Sequence, residues 1–94
     1  MNSINIHLRD NKPDVVLFDV DIATESGRTQ HIVSVNKEDY QRLTGRKISS
    51  KELVQRSIAF LLERENNDAI LREFNLMDIV NYFPEFEEII RINE

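Results

Sequence analysis

The chain contains no cysteine, only two glycines and two prolines, and no apolar run near the ~20 residues needed to cross a bilayer. Without thiols there is no disulfide framework, no thiolate zinc site and no cysteine nucleophile. The two glycines do not form a phosphate-cradling loop, and neither a nucleophile elbow nor a histidine-glutamate metal helix occurs. The opening residues, MNSINIHLRDNK, lack the apolar centre of a signal peptide, so a cytoplasmic protein with no membrane partner is expected. These absences favour a non-enzymatic protein without a cofactor.

What is present is 94 residues of ordinary apolar content and a net charge of −5, enough for one domain with a single modest core. The charge is unevenly spread. Residues 1–27 sum to −3, residues 28–56 to +4 and residues 57–94 to −6. A basic middle between acidic ends is either a polyanion-facing surface or a dipolar surface that favours self-association.

The best-specified stretch is SSKELVQRSIAFLLERE, residues 49–65. Ser49 followed by Glu52 forms the pattern of a capping box, and Leu53, Val54, Ser57, Ile58, Phe60, Leu61 and Leu62 fall on one side of a helical wheel. An arc this wide predicts a central helix covered by more than one neighbour. Ahead of it, alternation predicts strands over about 3–9, 15–22 and 29–36, with Val16, Phe18, Val20 and Ile22 on one face of the second. Gly27 suits a four- or five-residue hairpin loop at positive φ, and Gly45 the left-handed end of a helix over about 37–44.

Behind the central helix, the apolar spacing predicts helices over about 68–74, 76–83 and 84–92, with Phe86, Ile89 and Ile90 buried in the last. The expected fold is therefore α+β: a three-stranded antiparallel meander followed by four or five helices around residues 49–65. The tail is dense in aromatics, and Tyr82, Phe83 and Phe86 form a candidate interaction surface.

Candidate chemistry is sparse. His7 and His31 lie on predicted strands and, with Asp19 or Asp21, would form the ligand set of a metal-dependent enzyme. The alternative for both aspartates is a solvated strand face. Residues 30–65 resemble the ribbon-helix-helix family of DNA-binding proteins: a strand of alternating polarity, a helix, a glycine-containing turn and a longer helix opening on serine and lysine. That resemblance implies a dimeric repressor or antitoxin in which Gln30, Ser34 and Asn36 face bases and Lys47, Ser49, Ser50 and Lys51 lie near phosphate. The segment LREFNLMDIVNYFPEFEEII resembles parts of small bacterial proteins and implies no activity. The reading that follows from composition is a small interaction or regulatory protein, a homodimer, meeting a protein partner through a strand edge or the aromatic tail.

Overall fold

A computed structural model describes residues 2–92. Three long strands follow the alternation closely: β1 (Ser3–Asn11), β2 (Val15–Thr24) and β3 (Gly27–Asn36). On β2, Val16, Phe18, Val20 and Ile22 are buried, and His31, Val33 and Val35 are buried on β3. The register sets Phe18 against Val33 and Val20 against His31, so both strands turn the same face to the core. The hairpin is tighter than expected, since only Glu25 and Ser26 separate the strands; Gly27 does take positive φ, at 125°. Between β1 and β2 the register slips at Leu8/Asp10, a bulge that sets Arg9 within 2.7 Å of Asp19.

The helices begin where the sheet ends. α1 (Lys37–Thr44) closes on Gly45 at φ 59°, whose amide donates to the Gln41 carbonyl. α2 (Ser50–Leu62) is capped by Ser49, whose hydroxyl accepts the Glu52 amide at 3.0 Å. The Glu52 carboxylate is engaged by Arg56. Leu53, Val54, Ser57, Ile58, Phe60 and Leu61 are buried against the sheet and the tail. None of the residues on the sheet's other face, including His7, Asp19, Asp21, Gln30 and Ile32, belongs to that core.

The tail departs most from expectation. Residues 68–74 are not a helix: a 3-10 turn at Asn67–Ala69 is followed by an extended run and a short strand, β4 (Glu73–Asn75). β4 lies parallel to β3, pairing Ile32 with Glu73 and Ser34 with Asn75. The sheet is therefore four-stranded and mixed, in the order β1-β2-β3-β4. Ile70, Phe74 and Leu76 are buried while Leu71 is exposed, and Phe74 and Leu76 stand two apart on the core side as an extended chain places them.

Beyond β4 a 3-10 turn, Leu76–Asp78, runs into α3 (Ile79–Tyr82), and α4 occupies Phe86–Ile90. The turn opens on Asn75 and Asp78, whose side chains each accept a backbone amide in a capping box. Phe86 and Ile90 are buried as expected, but Ile89 points to solvent. Phe60 holds this part together. Phe83 and Phe86 meet it edge-on, at centroid distances of 5.9 and 5.1 Å, and the Arg64 guanidinium lies 3.6 Å from its ring centre. Farther along, the Ile92 amide donates to the Leu43 carbonyl and Arg42 pairs with Glu87, tying the tail to α1.

Candidate functional site

The two edges of the sheet are finished differently. On the β3 side, the Ile32 amide donates to the Arg72 carbonyl at 2.7 Å and β4 continues the pairing. On the β1 side no strand follows among the described residues. The Lys37 amide donates to the Asp14 carbonyl, which places the even-numbered residues of β2 in the bonds to β3 and its odd-numbered residues in the bonds to β1. On β1 the bonded partners are thus Ser3, Asn5 and His7. The amide and carbonyl groups of Ile4, Ile6 and Leu8 point out of the sheet, where they form a ready template for another strand.

Next to this edge, on the helix side, lies an open groove of about 570 Å³. Its floor is apolar, formed by Ile6 and Leu8 of β1, Val16 and Phe18 of β2 and Val35 of β3. Leu8 leaves 60% of its surface in solvent, unlike the buried Ile6. The far wall is α1 and the start of α2, where Tyr40 donates its hydroxyl to the Ile48 carbonyl and so fixes the corner. Lys37, Arg46 and Lys51 line this wall, and among the described residues no carboxylate lines the groove. In a chain of net −5, that local excess of cations is a feature of placement, not of composition.

Arg46 reaches the wall from a backbone that only glycine adopts freely. Its φ is 64°, the one positive value among described residues other than glycine. Thr44 holds it there: its hydroxyl accepts the Arg46 amide at 3.0 Å and its own proton goes to the Tyr40 carbonyl. Among the described residues Lys37, Arg46 and Lys51 form no ion pair. Arg9, Arg42, Arg56, Arg64 and Arg91 each do, all outside the groove lining.

Ser49, Ser50 and Lys51 do come together at the groove, with Lys47 in the preceding turn. Gln30, Ser34 and Asn36 lie on the open face of the sheet, away from that helix start. Ser34 and Asn36 accept from the Asn75 side chain at 3.0 and 3.2 Å, and Gln30 stands opposite Asp21. β3 has β2 along one edge and, on the other, β4 paired with Ile32–Ser34.

The two histidines do not converge. His7 is exposed, opposite Asp19, while His31 is buried on the other face of a non-adjacent strand. His31 lies 2.7 Å from the Leu71 carbonyl through Nδ1 and 2.8 Å from the Thr29 hydroxyl through Nε2. A carbonyl only accepts, which assigns the proton to Nδ1 and makes Nε2 the acceptor in the neutral ring. Of the aromatic trio, Tyr82 is exposed and Phe83 half-buried, but Phe86 is fully buried against Phe60, so it belongs to the core and not to an interaction surface.

Two features of the structure were not legible in the sequence. Asn67, which falls between the expected helices 49–65 and 68–74, is buried and knits the hairpin to the tail. Its Oδ1 accepts the Thr24 hydroxyl, and its Nδ2 donates to the Gly27 carbonyl and the Thr29 hydroxyl. Arg46, which falls between the expected helices 37–44 and 49–65, is the cation of the groove wall with a left-handed backbone. No local signal marks either role. No family model, curated protein or solved structure matches this chain.

Proposed function

We propose that this is a small non-enzymatic interaction protein that recruits a polypeptide partner along β1. The observation that carries the reading is the outward row of backbone groups at Ile4, Ile6 and Leu8 beside an apolar groove. Strand addition at such an edge draws affinity from the main chain and specificity from pockets for alternate side chains. An expected homodimer uses the same edge. Two β1 strands in antiparallel register would place Leu8 of each copy near Ile4 of the other and cover the exposed leucine.

Proline scanning tests the edge. Leu8→Pro removes an amide that bonds nothing among the described residues, whereas His7→Pro removes one from the β1–β2 ladder. The expected result is a Leu8→Pro protein that stays folded and loses partner or self-association, beside a His7→Pro protein that is destabilised. Self-association that survives Leu8→Pro, measured by light scattering across a dilution series, would place the dimer contact elsewhere. Random duplex DNA in the same series examines the ribbon-helix-helix reading: a DNA binder weakens with Lys47→Glu and Lys51→Glu and shows a shallower salt dependence.

A further inference from the structure

We infer that the partner strand is acidic: an extended segment with apolar side chains at one end and carboxylates at the other, laid beside β1 with its alternate side chains in the groove. The inference rests on β1 being the partner edge, and adds the chemistry of what binds there. A strand placed beside β1 turns every second side chain to the helix side of the sheet. Those beside Ile4 and Ile6 meet the apolar face of β1. Those nearer Leu8 and Asn11 enter the groove, whose far wall carries Lys37, Arg46 and Lys51.

Three observations favour carboxylates at that end. Among the described residues the lining contains cations and no acidic residue. Lys37, Arg46 and Lys51 lack ion pairs among the described residues, in a chain whose other arginines are mostly paired. One of the three sits on a left-handed backbone, a local cost that persists where the surroundings over-determine it and that often marks a binding site. A second copy of β1 is a poorer match. Its charged residues, Arg9 and Asp10, cancel, so it brings no net negative charge to the wall.

The test uses the full-length protein and capped, fluorescein-labelled heptapeptides. Each alternates threonine with a second residue, which is valine at the two positions toward one end and glutamate at the two toward the other; both chain orders are made. Matched peptides carry lysine for glutamate. Fluorescence anisotropy is expected to show the acidic peptide binding about tenfold or more tighter than the basic one, with the preference reversed in Lys37→Glu/Lys51→Glu protein and all binding lost in Leu8→Pro protein.

Equal affinity for acidic and basic peptides, both lost in Leu8→Pro, would overturn the acidic partner and leave the edge standing. Binding indifferent to Leu8→Pro would remove the edge as well. Failure of every peptide to bind at millimolar concentration overturns the inference, while the light-scattering comparison still decides the edge. Random duplex DNA that displaces the acidic peptide and is itself lost on charge reversal would make the wall a nucleic-acid surface and overturn the peptide reading.

Discussion

One edge of this sheet is sealed and the other is open, and the two differ in the kind of interaction spent on them. Along β3 the tail supplies a parallel strand of three residues, then turns at once into a 3-10 helix, which leaves almost no edge behind it. Polar groups hold that seal: the buried Asn67 on the hairpin, the buried His31 on Leu71, and the half-buried Asn75 on Ser34 and Asn36. Along β1, a strand of nine residues with a bulge and an exposed leucine, no further strand pairs the outer side among the described residues. Closing one edge with directional bonds while leaving the other to solvent fixes the sheet's size within the chain and directs any added strand to β1.

Stability measurements can break this comparison. The largest contrast is between side chains on the two sides. Phe86→Ala empties a fully buried site against Phe60 and is expected to cost about 3–5 kcal/mol in denaturant unfolding. Leu8→Ala, on the open edge, should stay within about 0.5 kcal/mol. Comparable losses would mean that β1 is covered in the folded protein.

Asn67→Ala comes next. It leaves the Thr24 and Thr29 hydroxyls and the Gly27 carbonyl short of a buried partner, for an expected loss of about 2–3 kcal/mol. Amide exchange should quicken across the hairpin and β4 together, because one side chain joins them.

Two smaller effects sharpen the open side against the sealed one. Arg46→Gly relieves a left-handed backbone and should raise stability by about 0.5–1 kcal/mol, while weakening acidic-peptide binding. A residue retained against stability is the expectation for a binding wall. On the sealed side, Glu65 borders an apolar hollow with Phe74, Ile79 and Phe83, and burial raises its carboxyl above the ordinary value. The folded chain then holds that proton more tightly than the unfolded one. Ionised Glu65 therefore costs stability in full above its folded pKa, and the cost vanishes below the unfolded pKa. Glu65→Gln should raise Tm slightly at pH 7, with the gain fading as pH falls through the carboxylate range.

How much of this was legible in the sequence follows from how local each signal is. α2, β2, β3 and the Gly45 terminus were readable because their determinants lie within a few residues: a cap, a period, a glycine. The cap on Ser49 formed, though Glu52 turned to Arg56 instead of completing the box. β4 was not readable. Three residues are too few to show a period, and their pairing is with residues some forty positions earlier. Tertiary contact therefore overrode a spacing at Ala69, Ile70, Leu71 and Phe74 that suits a helix. The basic middle was visible as a count, but its concentration on one wall of a groove depends on how α1, α2 and β1 meet.

Amide exchange, read residue by residue along β1 in dilute protein without a partner, tests the open edge most directly. The account predicts an alternation: Asn5 and His7 protected on the order of a hundredfold or more, Ile4, Ile6 and Leu8 exchanging nearly as an unstructured chain does, and Ile32 protected by its bond to Arg72 on the sealed side. Uniform protection from Ile4 to Leu8 at every concentration would show that the edge is already occupied and contradict it.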